Sequence, residues 1–229
     1  NAPDPFLDDG RMGDAEGGGS SELLISKDAP EHIKLRKLVN KGFTPRRVAD
    51  LSDRLQERTD AIIDRLADQD GCDLVHDLAL WLPLHVIADM VGVPEVDGER
   101  LTKFQIEVFF MLLQNAGSET TRNLITTGTL ALLQDPEQLQ WLRANLDQLP
   151  GAIEELLRFV TPVVHFTRTP VTDVEIGGRQ ISAGERVLMV YASANRDERA
   201  FDEPDRLDLS RDPNDHVAFG AGGPHFCLG

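Results

Sequence analysis

The longest helical pattern in the chain runs from Leu101 to about Leu133, and any fold must be built around it. Gly117 lies in its middle among hydroxyl residues, where a glycine costs about 1 kcal/mol relative to alanine and favours a kink. Two further helical patterns precede it, one opened by Asp28 with Glu31 three residues later and one opened by Pro45. The apolar spacing therefore predicts a mainly helical fold.

A small β portion is predicted only in the last third of the chain. Three β-like stretches follow Pro162, at residues 163–170, 173–181 and 186–193. Before them, the apolar segment 74–91 predicts a buried helix or helix pair, and Asp135-Pro136 separates the long helix from a short one. We predict a flexible acidic and Gly-rich segment (1–22), a mostly helical part (23–160), a small sheet (161–193) and an irregular segment ending in a Gly-rich loop (194–229).

Charge and composition exclude several classes of partner. The net charge of −16 at pH 7 argues against non-specific binding to nucleic acid or to anionic lipid. No apolar run approaches the roughly 20 residues of a transmembrane helix, and the first residues lack the pattern of a signal peptide. The two cysteines indicate no disulfide framework. We therefore expect a cytoplasmic protein without a membrane span.

The last eleven residues, FGAGGPHFCLG, concentrate the chemistry of the chain. Gly220, Gly222 and Gly223 free the backbone for positive φ and for close approach to a flat ligand. A thiolate at Cys227, held by backbone N–H groups in such a loop, would be a strong and soft ligand for iron. On the loop alone, a buried structural cysteine is the alternative interpretation.

This loop resembles the haem-binding loop of the cytochrome P450 superfamily, and other segments match the same family in the same order. AGSETT (116–121) resembles its distal-helix motif, and residues 194–211 resemble the irregular segment that precedes the loop. Glu155 and Arg158 match its Glu-x-x-Arg pair, and His32 and Arg36 match its His-x-x-x-Arg pair. The chain is thus identified as a member of the bacterial haem-thiolate monooxygenases, with a P450-like helical fold.

The resemblance implies a cofactor site for haem b with an axial thiolate from Cys227. Phe219 would lie beside the sulfur, and Gly229 completes the loop motif. The haem propionates need cationic or donor partners, because two carboxylates are costly to bury unpaired. The residues at the matching positions are His32, Arg36, Arg168 and His225.

The resemblance also assigns a distal and a structural group. Gly117 would let the long helix open over the haem, and Glu119 with Thr120 resembles the acid–alcohol pair that relays protons. Glu155 and Arg158 could be a solvent-exposed ion pair, but the family implies a buried Glu–Arg–Arg network instead. Its third member would be Arg206, with Arg211 as the rival.

Three departures from the family pattern lead to further predictions. Cys227 comes eight residues after Phe219, and this longer loop with its Pro-His pair (224–225) resembles actinobacterial members that act on sterols and branched lipids. Residues 91–104 pass directly into the long helix, where the family places its lid helices. The chain also ends two residues after Cys227, where the family continues into another helix. We therefore expect an incomplete P450 fold, truncated and internally shortened.

The implied activity is insertion of one oxygen atom from O2 into an apolar substrate, sterol-, fatty acid- or terpenoid-like. Electrons would come from a ferredoxin or a flavoprotein. Two alternatives stay open. The chain could be a non-catalytic haem-binding remnant, or His225 and Cys227 could belong to a zinc site completed by Cys72 and another histidine.

Overall fold

The computed structural model describes residues 24–40, 43–67, 69–83, 103–220 and 222–228. Helices account for about half of this part: α1 (Glu31–Asn40), α2 (Pro45–Ala67), α3 (Lys103–Gln134), α4 (Pro136–Ala144), α5 (Leu149–Val160) and the short α6 (Tyr191–Ala194). Two 3-10 turns accompany them, at Leu24–Ser26 and Leu146–Gln148. The predicted mainly helical class is confirmed, and α3 coincides with the long helical pattern.

Local side-chain chemistry sets the ends of the helices that matter for the site. The Asp135 carboxylate accepts a hydrogen bond from the backbone N–H of Gln138 (3.1 Å), and Pro136 occupies the first turn, so α4 begins directly where α3 ends. At the other end, α5 stops at Thr161, which adopts left-handed backbone geometry (φ 46°). Its hydroxyl donates to the carbonyl of Arg158 (2.7 Å), which fixes the turn from α5 towards the sheet.

The buried core joins the long helix to the irregular segment near the C-terminus. Its fully packed members are Leu132, Ala152, Leu207 and Leu209. Leu156 of α5 lies against Gly128 of α3, where an added Cβ would be 3.7 Å from the leucine side chain. Because Leu207 and Leu209 are buried in this core, the irregular segment is held firmly although it lacks regular secondary structure.

Two small antiparallel sheets follow α5. Strand β1 (His165–Arg168) pairs with β4 (Val187–Val190), so that His165 lies opposite Val190. Strands β2 (Val174–Ile176) and β3 (Arg179–Ile181) form a hairpin. Its turn is made by Gly177 and Gly178, which both have positive φ (55° and 77°).

The third β-like stretch ends earlier than predicted. The strand stops at Val190, and the next four residues form α6. The backbone N–H of Asn195 donates to the carbonyl of Tyr191 (2.9 Å), and the Asn195 side chain donates to Thr161 (2.9 Å). Burial of these polar groups requires the chain to turn here, which overrides the β propensity of the stretch.

The prediction of a buried helix or helix pair over residues 74–91 agrees in type with the part that the structure describes, where a π-helical turn is followed by helical residues 81–83, but most of these residues are only half-buried. Leu74–Ala79 form a single π-helical turn, capped by the Asp73 carboxylate, which accepts from the N–H groups of Val75 and His76. Trp81, just after it, is 46% exposed. The rest of this stretch, the predicted flexible segment 1–22 and nearly all of residues 91–104 lie outside the described residues. Within the described parts, no helix has the length and apolar character to cross a bilayer.

Candidate functional site

A cationic cluster forms where α1 meets the C-terminal loop. His32 and Arg36 lie four residues apart on α1 and therefore share one face of it. The Arg36 guanidinium donates to the carbonyl oxygen of Cys227 (3.1 Å). The imidazole rings of His32 and His225 lie 4.1 Å apart between centroids, and His32 is only 2% exposed. The structure thus joins residues from the two ends of the sequence at one site.

Burial and nearby positive charge lower the pKa of both histidines of this cluster. Desolvation, followed by the charge of Arg36, lowers the pKa of His32. The pKa of His225 is lowered to about 4, first by burial and then by the charges of His32, Arg168 and Arg36. Arg168 is therefore close enough to act on His225, while its own Nη1 donates to the carbonyl of Thr167 (3.1 Å). The predicted propionate partners come together with two permanent positive charges.

The donor set of this cluster fits the carboxylates of a haem. The Nδ1 atom of His32 is buried and has no hydrogen-bond partner among the residues that the structure describes. A buried polar atom without a partner is costly, so a ligand atom is expected there. The guanidinium groups of Arg36 and Arg168 can bind carboxylates by charge-assisted hydrogen bonds. The cluster therefore has both a buried nitrogen without a partner and the positive charge that suits buried propionates.

Backbone hydrogen bonds shape the loop that carries the cysteine. The N–H of Cys227 donates to the carbonyl of Phe219 (3.0 Å), and the N–H of Gly220 donates to that of Val217 (2.9 Å). Gly220 has φ 93°, with Gly222 and Gly223 also in the left-handed region. The Phe219 ring lies 6.4 Å from that of Phe226, and Cys227 is exposed. The loop thus closes on Phe219 and presents the Cys227 thiol at its surface; Gly229 lies outside the described residues.

A buried ion-pair network underlies the loop. Glu155 and Arg158 are both fully buried, and the guanidinium donates to the two carboxylate oxygens at 2.8 and 2.9 Å. The prediction of Arg206 as the third member is wrong, because its guanidinium binds Glu203 at the surface. Only its backbone carbonyl contacts the network, accepting from Arg158 (3.1 Å). The rival Arg211 binds Glu155 (3.1 Å) and is 11% exposed.

The network also fixes the irregular segment. Arg158 donates to the backbone carbonyls of Asn195 (2.7 Å) and Pro204 (2.8 Å), and Glu155 accepts from the N–H of Asp208 (2.9 Å). Because removing one member of the buried pair of Glu155 and Arg158 leaves an uncompensated charge, loss of either residue is strongly destabilising. The network therefore fixes the backbone that leads into the cysteine loop.

The distal-helix motif lies within an uninterrupted helix. Helix α3 runs through Gly117 without a break. The Thr120 hydroxyl donates to the carbonyl of Ala116 (2.5 Å), a bond to the preceding turn that often bends helices. Glu119 is exposed and pairs with Arg122. The Ser118 hydroxyl is buried and has no partner among the described residues, so polar groups are available on this turn of α3.

Comparison with known proteins identifies the family. The family model described as Cytochrome P450 matches residues 82–229. The chain belongs to the cytochrome P450 family. A steroid C26-monooxygenase from Rhodococcus jostii is 36% identical over 266 residues, which cover 90% of this chain and 56% of that protein. A methyl-branched lipid omega-hydroxylase from Mycobacterium tuberculosis is 35% identical and is covered to 64%, against 90% of this chain.

Solved P450 structures share the fold. A Bacillus megaterium cytochrome P450 in complex with testosterone superposes with a TM-score of 0.89 at 29% identity, covering 97% of this chain and 74% of that one. A Mycobacterium marinum cytochrome P450 in complex with pseudoionone superposes with a TM-score of 0.84 at 37% identity, covering 92% and 67%. The P450-like helical fold is therefore confirmed.

This P450 chain is shorter than its relatives. It spans 56% and 64% of the length of the two curated relatives above. The first of these alignments runs over 266 positions, whereas 90% of the 229 residues is about 206, so about 60 positions lie opposite gaps in this chain. This difference supports the predicted internal shortening, although the place predicted for it lies mainly outside the described residues.

Two residues of the P450 loop region were missed by sequence reasoning. Asn195 is fully buried, and its side chain donates to Thr161 (2.9 Å) and accepts from the N–H of Val217 (2.8 Å). The His216 side chain is 5% exposed and contacts Glu154 (2.8 Å). Asn195 lies inside the ANRD segment that carries part of the family resemblance, which is the one signal that could have found it.

The zinc alternative lacks ligands in the described residues. A tetrahedral zinc site needs four protein ligands, or three and a water. The described part of the chain includes His225, Cys227 and Cys72, yet it holds no group of three or more His, Cys, Asp or Glu side chains placed to bind a metal ion. The described residues therefore give no support to the zinc alternative.

Proposed function

We propose that this chain forms the haem-binding part of a cytochrome P450 monooxygenase, in which the Cys227 thiolate would hold the iron of haem b. The single observation that carries this proposal is the cluster of Arg36, His32 and His225 around the carbonyl of Cys227. Such a cluster pairs a soft metal ligand with a site for buried carboxylates. A zinc or purely structural cysteine would not need the orphaned His32 Nδ1.

Different residues of the chain would bind the propionates and surround the sulfur ligand. Arg36 and Arg168 would neutralise the propionates, and His32 and His225 would donate hydrogen bonds to them. The N–H groups of the loop would temper the basicity of the sulfur, and the Phe219 ring would shield it from water. When bound, the haem supplies activation of dioxygen, for which thiolate ligation favours O–O cleavage.

We further propose that the turn of α3 around Glu119 and Thr120 delivers protons to the site where oxygen reacts. Glu119 is exposed, so its carboxylate can exchange protons with solvent once it leaves Arg122. The Thr120 Oγ1 would accept a hydrogen bond from a water and donate its own O–H proton onward, in exchange for its present bond to Ala116. Gly117 leaves that surface of α3 without a side chain, which gives room for such a water. Thr120→Ala should therefore raise peroxide release per electron consumed.

The proposed substrate is an apolar steroid or methyl-branched lipid. The relatives named above are a steroid C26-monooxygenase and a methyl-branched lipid omega-hydroxylase. The longer loop with the Pro224-His225 pair agrees with this class. We propose that one oxygen atom of O2 enters a C–H bond of such a substrate, with electrons from a ferredoxin or a flavoprotein.

The experiment that tests this proposal is titration of the purified chain with hemin, followed by turnover. Stoichiometric uptake is expected, and Arg36→Gln should weaken it about tenfold or more because a buried carboxylate loses its charged donor. Arg54→Gln, at an exposed arginine of α2, is the matched control and should leave uptake unchanged. A chain that takes up no hemin, or that binds it equally well without Arg36, contradicts the proposal.

The second candidate, a non-catalytic haem-binding remnant, is favoured by the roughly 60 aligned positions that this chain lacks. The two candidates separate after haem uptake. A monooxygenase should shift the spin state of the haem when a steroid or branched lipid is added, and should release hydroxylated product with a donor system. A remnant binds haem but gives neither signal.

A further inference from the structure

His216 links helix α5 to the start of the cysteine loop through both of its ring nitrogens. Its Nε2 atom lies 2.8 Å from a carboxylate oxygen of Glu154, and its Nδ1 atom lies 3.2 Å from the backbone nitrogen of Ala218. The side chain is 5% exposed, whereas Glu154 is about half exposed. A histidine held in this way is fixed in position and in orientation.

The partners define which nitrogen carries the proton. The backbone N–H of Ala218 can only donate, so the His216 Nδ1 must accept and is unprotonated. The proton is therefore on Nε2, where it is donated to the Glu154 carboxylate. Glu154 thereby fixes the tautomer that the Ala218 N–H needs. The two consecutive glutamates of α5 thus bind different partners: Glu154 binds His216, whereas Glu155 binds Arg158 and Arg211.

The contacts continue from His216 to the ligand residue. Asn195 accepts from the N–H of Val217, and His216 accepts from the next N–H along the chain, that of Ala218. The following residue is Phe219, whose ring centroid lies 6.0 Å from that of His216. The carbonyl of Phe219 accepts from the N–H of Cys227 (3.0 Å). Every link between α5 and Cys227 is therefore a direct contact.

We propose that His216 is a positioning residue for the haem ligand. Its Nδ1 fixes the Ala218 peptide, and through Phe219 it sets where the Cys227 sulfur lies. This inference rests on the proposed function, because it concerns the ligand of the haem. His216 itself lies eleven residues before Cys227 and acts through Phe219.

Two substitutions separate positioning from simple packing. His216→Phe keeps an aromatic ring and removes both nitrogens. His216→Asn replaces Nδ1 by a carbonyl oxygen that can still accept from Ala218, but it removes the contact with Glu154. His76→Asn is the matched control, since His76 is exposed and binds Asp73 away from the loop. Each variant is compared at equal haem content, after circular dichroism has confirmed its helical content.

The measured quantities are the exchange rate of the Ala218 amide in the haem-free chain and the spectrum of the reduced, CO-bound chain. His216→Phe should speed the exchange about fivefold, the factor that corresponds to loss of one hydrogen bond. It should also move intensity from the thiolate band at about 450 nm to a band at about 420 nm. His216→Asn should restore both signals to near those of the unsubstituted chain.

Two outcomes would contradict the positioning role of His216, and a third would contradict the proposed function. If His216→Phe leaves the exchange rate or the band unchanged, the positioning role is wrong. If His216→Asn changes the exchange rate and the spectrum as much as His216→Phe does, the acceptor atom at Nδ1 does not position the loop, and His216 acts only by packing. If the unsubstituted chain shows no thiolate band at all, the proposed function fails, while the exchange rates still test whether His216 holds the Ala218 peptide.

Discussion

Replacement of Arg211 with glutamine removes the cation that completes the buried network of Glu155 and Arg158. The Arg211 Nε donates to Glu155 (3.1 Å), and its Nη1 donates to the carbonyl of Asp202 (2.9 Å). The matched variant is Arg206→Gln, five residues earlier on the same irregular segment. The Arg206 side chain is 58% exposed and binds Glu203, which is 72% exposed. The two variants therefore compare an arginine that binds a buried glutamate with an arginine that binds an exposed one.

The two substitutions should lower the free energy of unfolding by different amounts, because Arg211 is nearly buried and Arg206 is exposed. Removing one member of a fully buried ion pair costs about 3–5 kcal/mol. Glu155 keeps Arg158 when Arg211 is lost, so the cost should be nearer that of one charge-assisted hydrogen bond, about 1.5–3 kcal/mol. A solvent-exposed pair contributes only about 0–1 kcal/mol. Arg211→Gln should therefore lower the free energy of unfolding by about 2 kcal/mol more than the matched change at Arg206.

The assay is urea unfolding of both variants, followed by circular dichroism and by tryptophan fluorescence, which reports on Trp141 at the edge of the core and on the half-exposed Trp81. Coincident transitions at an unchanged denaturant slope make the two midpoints comparable. If Arg206→Gln destabilises the chain as much as Arg211→Gln, the assignment of Arg211 to the network is wrong.

Two further predictions concern charge and capping. In the folded chain the pKa of His225 is lowered from 6.5 to about 4, by burial first and then by His32, Arg168 and Arg36. Between these pH values the unfolded chain binds a proton that the folded chain does not, so the free energy of unfolding of the haem-free chain should fall as the pH drops. His225→Gln should flatten this slope in urea titrations at several pH values; an equally steep slope contradicts it. Asp135→Ala should lower the free energy of unfolding by about 1 kcal/mol through loss of the α4 cap, whereas Asp147→Ala, at an exposed side chain, should cost about 0.5 kcal/mol or less. Equal losses would remove the capping role.

The helices near the core could be predicted because local chemistry decides them. Asp135-Pro136 both ends α3 and caps α4, and Pro150 lies in the first turn of α5. The π-helical turn at Leu74–Ala79 and the short α6 could not be predicted in the same way. Long-range hydrogen bonds of Asn195 determine where β4 stops, and no pattern within a local window contains them.

The cationic cluster of the site could be predicted from the family resemblance, but the arginine that completes the buried network could not. His32 and Arg36 share a helix face by their spacing, and the loop motif supplies His225 and Cys227. Arg206 and Arg211 lie on a segment without regular structure, so no periodicity indicates which guanidinium faces Glu155. His216 was missed for a related reason, because its importance comes from the α5 residue that it contacts.

The most direct measurement of the central claim is the CO-difference spectrum of the reduced chain after reconstitution with hemin, beside that of Cys227→Ser. If the Cys227 sulfur binds the haem iron, the unsubstituted chain gives a band at about 450 nm, and the serine variant, with no thiolate to donate, loses it. A chain without this band, or a serine variant that keeps it, contradicts the account.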